Sequence, residues 1–219
     1  MIRVKVLTDV IDIISNLDIK GIIFDLDDTL YPEKEYVKSG FQEVARFLAT
    51  FTSTEAEIYT QKLWSYFEEG KPALDVLLGK VNSVCHHNNL KERCLQIYRN
   101  QENPNIHLYE GVTAMLSKFK KSGFKLGIIT DGRPEGQRNK IKTLSLESLI
   151  DDIIITDELG GIQFRKPCDI AFRIIQMRWR LPASQIVYIG DNMNKDFQAP
   201  KQLGMKVIHF QNKDGLYYD

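Results

Sequence analysis

The sequence lacks most of the features that assign a chain at a glance. It has three cysteines in 219 residues, Cys85, Cys94 and Cys168, an odd number at wide spacing that gives no basis for a disulfide framework. Cys85 precedes His86 and His87, but no second Cys or His follows at ligand spacing, so all three thiols are expected to be reduced. No sign of charge is in excess. The 29 basic and 29 acidic residues leave a formal net charge of zero, which removes any global electrostatic case for nucleic acid or an anionic membrane surface as partner. No apolar run approaches the roughly 20 residues that span a bilayer. The N-terminal segment is broken by Asp9 and Asp12 and has neither a secretory apolar core nor a small-residue cleavage site, so the cytoplasm is the expected location.

What is present is rhythm. Five short, β-branched apolar runs stand at residues 21–24, 125–130, 150–156, 186–190 and 206–210. Near-continuous apolar runs of this length read as strands buried on both faces, as in a parallel sheet. Helical patterns separate them at 111–123, 134–146, 166–180 and 195–204. Val112, Met115, Leu116 and Phe119 form the inward stripe of the first, and Ile170, Ile174 and Met177 that of the third. Alternation of strand and helix predicts an α/β fold, a doubly wound and mainly parallel sheet with right-handed crossovers. From about Glu33 to Asn105 the strand runs stop, and about four helical stripes follow at 36–51, 53–70, 71–87 and 89–101, with Phe41, Phe47, Trp64, Tyr66 and Phe67 as core candidates. The expected organisation is an α/β domain made of 1–33 and 106–219, interrupted by a small helical domain at 34–105.

Chemistry-bearing residues gather at the predicted strand ends. In open parallel sheets, ligands bind beyond the carboxyl ends of the strands. Asp25, Asp27, Asp28 and Thr29 follow the first run, Thr130, Asp131 and Gly132 end the second, Arg165 and Lys166 come after the third, and Asp191 and Asp196 follow the fourth. Like charges this close repel by several kcal/mol where water is scarce, so the acidic cluster at 25–28 calls for a cation, a substrate or full exposure to solvent.

In these residues the chain resembles the haloacid dehalogenase superfamily, in its phosphatase branch. The four motifs of that family fall in order: DxDxT at Asp25–Thr29, a strand-ending hydroxyl at Thr130, a lysine at Lys166 and GDxxxxD ending in Asp191 and Asp196. The helical insert matches the first of the two usual positions of the family's cap. The resemblance implies a Rossmann-like core and Mg²⁺-dependent hydrolysis of a small phosphorylated metabolite, a sugar phosphate or nucleotide monophosphate. Asp25 would be the nucleophile, forming an aspartyl-phosphate, and Asp27 the general acid and base. Lys166 would fix the charges, and Thr130, Asp131, Gly132 and Lys166 would hold the phosphoryl oxygens. The Mg²⁺ would take the Asp25 side chain, the Asp27 backbone carbonyl and the Asp191 side chain, with Asp196 as a further ligand or its neighbour. Asp28 reads as a residue that solvates or caps the turn, and Thr29 as a brace.

Three other readings use the same residues. A 2-haloacid dehalogenase also attacks with an aspartate, but Asp27 counts against it. A phosphomutase shares all four motifs. A non-catalytic binding module on this fold would be expected to have lost Asp25, Asp27, Lys166 or Asp191, and all four are present. The molecule is expected to be a monomer or homodimer.

Overall fold

The computed structural model describes residues 1–85 and 89–216. The His86-His87 pair, and with it the side chain of Cys85, lies outside what is described; Cys94 is buried and Cys168 half-buried, both as free thiols. In chain order the elements are β1 (Ile2–Val4), α1 (Val10–Ser15), β2 (Gly21–Phe24), α2 (Glu33–Ala49), α3 (Ala56–Glu68), α4 (Ala73–Cys85), α5 (Leu90–Arg99), α6 (Val112–Lys121), β3 (Lys125–Thr130), α7 (Pro134–Thr143), β4 (Asp152–Ile155), α8 (Ile170–Trp179), β5 (Ile186–Gly190), α9 (Gln198–Gln202) and β6 (Lys206–Phe210), joined by loops and single 3₁₀ turns. They form two compact units, Met1–Glu33 with Ile106–Asp219, and Lys34–Asn105.

The first unit is built on a six-stranded sheet of order β1-β6-β5-β2-β3-β4, every pair parallel. The five apolar runs become its five inner and outer strands β2 to β6. The sixth, β1, adds only Ile2↔Ile208 to Val4↔Phe210 at one edge. Its run is three residues with two exposed side chains, too short and too polar to stand out as a buried strand. Val112, Met115, Leu116 and Phe119 line the buried face of α6, as their spacing predicts.

Helix α8 differs from expectation in its start and in its face. It begins at Ile170 rather than at 166, because a residue before proline is driven from helical backbone and Lys166 precedes Pro167. Its buried stripe is Ala171, Phe172, Ile175 and Trp179, while Met177 is 76% exposed and Ile170 38%. Two apolar stripes were available, and the sheet selects the one that carries Trp179. The Trp179 ring lies where a Cβ at Gly21 would stand and within 3.1 Å of one at Gly127, so two strand glycines make the floor for one indole. Trp179 Nε1 donates to Asp152 at 2.7 Å, satisfying the buried polar end of the ring.

The second unit holds α2 to α5 around Val37, Phe41, Val44, Leu48, Leu63, Leu77, Leu78 and Cys94. Phe41 is buried, whereas Phe47, Trp64, Tyr66 and Phe67 pack half-buried against that core. Among the described residues no helix is long and apolar enough to cross a membrane.

The face assigned to α8 can be checked by denaturation. Phe172→Ala is expected to cost about 3–5 kcal/mol through its cavity, and Met177→Ala no more than about 0.5 kcal/mol. Urea unfolding followed by circular dichroism gives both values; a larger loss at Met177 would contradict the stripe.

Candidate active site

Strand order reverses at β2. The chain runs from β2 outward through β3 and β4, then returns to β5 on the other flank of β2. That is where a doubly wound sheet opens a crevice at its carboxyl edge. Asp25 follows β2 and its N–H donates to Ile189 of β5 at 2.9 Å; Asp191 follows β5. Adjacent parallel strands in this register bring the two carboxylates together although 166 positions separate them. Both are buried, as are Lys166 and Asp196.

The turn after β2 is held from inside. Asp28 adopts left-handed backbone, φ 52°, and is 1% exposed. Its carboxylate accepts the N–H of Glu33 at 2.8 Å and of Leu216 at 2.7 Å, and its carbonyl accepts Asn212 Nδ2 at 2.8 Å. Asp28 therefore caps the first turn of α2 and ties down the C-terminal segment; burial rules out the solvated alternative. Thr29 Oγ1 donates to Asp191 Oδ1 at 3.0 Å, a brace between the two loops.

Oxygens of Asp25, Asp191 and Asp196 all lie within 4.8 Å of one another. Lys166 Nζ is 2.8 Å from Asp25 Oδ1 and 2.8 Å from Asp196 Oδ1, and donates to Tyr188 Oη at 2.9 Å. Asp196 Oδ1 also accepts Tyr188 Oη at 3.1 Å, and Oδ2 accepts the N–H of Asn192 at 2.9 Å. A Cβ at Gly190 would collide with that carboxylate, so the glycine before Asp191 makes room for Asp196. Asp196 is thus engaged on both oxygens. Asp25 and Asp191 each engage only Oδ1 in these bonds, Asp25 with Lys166 and the Leu26 N–H, Asp191 with Thr29. Two hard oxygens on neighbouring buried carboxylates fit a divalent cation of the Mg²⁺ type. Burial pushes the Asp25 carboxyl up to about 6, against the pull of Lys166. Burial, followed by the charges of Asp25 and Asp196, pushes Asp191 up to about 8. Burial lowers the Lys166 ammonium, but Asp196 and Asp25 outweigh it and hold it above its ordinary value.

Asp27 faces other partners. Its carboxylate accepts Lys140 Nζ at 2.7 Å, Gln137 Nε2 at 2.9 Å and the Tyr31 hydroxyl. Burial raises its pKa, but the Lys140 charge and the bonds from Lys140, Tyr31 and Gln137 prevail and hold it below the usual range. Gln137 also donates to Thr130 Oγ1. Asp131 is bound by the Thr156 hydroxyl at 2.9 Å and the Lys166 N–H at 3.1 Å, so it fastens the β3 and β4 loops to each other. Gly132 follows with φ 139°, a backbone that favours glycine. Arg165 makes two 2.7 Å bonds to Asp157.

Asp25, Asp27, Asp131, Lys166 and Asp191 line one cavity of about 340 Å³ together with Glu33, Arg165 and Lys195. Thr130, Gly132 and Asp196 are not among its lining residues; Thr130 and Asp196 stand behind it, bonded to Gln137 and Lys166. Glu33, Gln137, Lys140 and Lys195 were not expected from sequence. Charged residues on an amphipathic helix read as a solvated face, and the only signal for Gln137 and Lys140 was their i, i+3 spacing on the helix that follows β3. His209, to which the sequence assigns no role, bonds the Asp191 carbonyl at 2.9 Å through Nε2.

Residues 22–210 match the family described as haloacid dehalogenase-like hydrolase. A glyceraldehyde 3-phosphate phosphatase of Methanocaldococcus jannaschii is 32% identical, over 92% of this chain and 88% of its own. The N-acylneuraminate-9-phosphatase of Homo sapiens is 24% identical over 90% and 84%. Among solved structures, the HAD-hydrolase YfnB of Bacillus subtilis, bound to magnesium, superimposes with TM-score 0.59 at 22% identity, covering 86% of this chain and 85% of that one.

The crowding of Asp25 and Asp191 predicts a pH dependence. Carboxyls of the unfolded chain titrate near 4, below both folded values, so the folded state binds more protons between about 4 and 8. Their contribution is complete below pH 4 and is lost as pH rises through 6 and then 8. In EDTA, the melting temperature should fall over this window more steeply for the wild type than for Asp191→Asn. Equal slopes would contradict the crowding.

Proposed function

The chain belongs to the haloacid dehalogenase-like hydrolases, and on that premise we propose that it hydrolyses a small phosphorylated metabolite, with Mg²⁺ as cofactor. The observation that carries the reading is the position of Asp25: a buried carboxylate at the switch point of the sheet, fixed by Lys166 and the Leu26 N–H, lining one cavity with Asp27 and Asp191. Bound between Asp25 and Asp191, Mg²⁺ would neutralise phosphoryl charge and let a dianion approach a carboxylate.

Asp25 attacks phosphorus, and the phosphorus–oxygen bond to the leaving group breaks as the new bond forms. Asp27, ionised at rest, takes up the proton of an entering phosphomonoester monoanion, gives it to the departing oxygen and later takes one from the water that cleaves the aspartyl-phosphate, releasing inorganic phosphate and restoring Asp25. In the resting arrangement Lys140, Tyr31 and Gln137 favour the base form of Asp27. Lys166 keeps Asp25 ionised and oriented, and Asp196 keeps Lys166 in place. Asp196 acts as a positioning residue, since its oxygens are already committed. Thr130, Asp131 and the Gly132 backbone order the loop that receives the phosphoryl oxygens. Residues 34–105 are the cap of the family in its first position, and the cytoplasm is the place of action. The two phosphatases reported above are named for glyceraldehyde 3-phosphate and for the 9-phosphate of N-acylneuraminate, which supports a sugar phosphate.

The test is release of inorganic phosphate from p-nitrophenyl phosphate with and without Mg²⁺. Turnover should require Mg²⁺ and vanish in EDTA. Asp25→Asn should lower kcat at least about a thousandfold with its circular dichroism spectrum unchanged. Activity retained in Asp25→Asn would remove that residue from the chemistry.

A further inference from the structure

Glu33, the first residue of α2, lines the cavity of Asp25 and Asp27, and none of the four motifs uses it. Its backbone is fixed by the 2.8 Å bond from its N–H to Asp28 Oδ1, so its carboxylate is presented by a pinned helical turn. The charges acting on it most strongly are those of Asp27, Lys140, Asp28 and Lys195, with Asp27 first. Glu33 and Asp27 line the same cavity, so a leaving group held there beside Asp27 comes within reach of Glu33.

We propose that Glu33 is a specificity-determining residue that accepts hydrogen bonds from leaving-group hydroxyls and rejects a second anionic group, restricting substrates to phosphomonoesters of uncharged polyols or aldoses. The inference rests on the hydrolase reading above. The cations lining the cavity serve other partners: Arg165 is bonded to Asp157, Lys166 to Asp25 and Asp196, and Lys195 lies 3.8 Å from Asp131 on the phosphoryl side. Lys140, the cation nearest Asp27, already forms a 2.7 Å pair with it. Above about pH 8, where Glu33 is ionised, a substrate carboxylate beside Asp27 and Glu33 would meet two like charges in a space poor in water, where repulsion is several times stronger than in bulk solvent. A hydroxyl there donates to either carboxylate and meets no such opposition.

Two stable esters isolate the effect. sn-Glycerol 3-phosphate and L-3-phosphoglycerate share a three-carbon chain, the configuration at C2 and a terminal phosphate, and differ at the far carbon, CH₂OH against carboxylate. The assay pH is about 9, above the value of about 8 to which burial and Asp27 raise Glu33, so that its carboxyl is ionised. With Mg²⁺, wild-type kcat/KM should favour glycerol 3-phosphate at least about tenfold. Glu33→Gln should shrink that ratio at least threefold by improving turnover of 3-phosphoglycerate, and Glu33→Lys should shrink it further. A wild-type ratio within twofold of unity overturns the proposal even if neither variant folds, and so does an unmoved ratio in folded variants. Where the wild type turns over p-nitrophenyl phosphate, those outcomes overturn this inference alone; absence of that turnover in the wild type would overturn the hydrolase reading and this inference with it.

Discussion

The ammonium of Lys166 stands 2.8 Å from a carboxylate oxygen of Asp25 and 2.8 Å from one of Asp196, with no side-chain surface exposed. Without that cation, two buried carboxylates beside a third would be untenable, because a buried charge left unpaired costs several kcal/mol. One lysine does not neutralise three acids. Burial, together with the charge left over on Asp25 and Asp196, lifts Asp191 to about 8, and a divalent ion at this edge would relieve that crowding. Gly190, Asn192 and Tyr188 all serve this arrangement, one by making room for the Asp196 carboxylate and two by bonding it.

Seven aspartates lie within reach of this edge, and surroundings divide their tasks. Asp25 and Asp191 use only Oδ1 in the bonds described and, on the reading proposed, belong to the reacting centre. Asp196 is used up in holding Lys166. Asp131 joins two loops and Asp157 anchors Arg165. Asp28, wholly buried, is a helix cap. Asp27 is held ionised by Lys140, Tyr31 and Gln137. Burial and the count of hydrogen-bond donors separate these roles, which residue type alone does not.

Much of this was legible because it is local. The five apolar runs mark the buried strands, and the strand ends mark the edge where Asp25, Thr130, Lys166 and Asp191 gather. What was not legible depends on tertiary choice. Helix α8 carries two apolar stripes, and only the glycine floor at Gly21 and Gly127 decides that Trp179 goes inward. The strand β1 is too short to betray itself. Lys140 and Gln137 look like solvated helix positions until α7 brings them to the Asp27 carboxylate. Glu33 and Glu35 flank Lys34, and nothing in the neighbours along the chain distinguishes the first from the second.

The central claim is that Asp25 and Asp191 share one divalent ion. Crystals grown with Mn²⁺ in place of Mg²⁺, two ions that favour the same octahedral oxygen sites, test it directly by anomalous scattering. The expected result is a single peak within about 2.2 Å of a carboxylate oxygen of both Asp25 and Asp191. A peak held by only one of the two, or by neither, would contradict it.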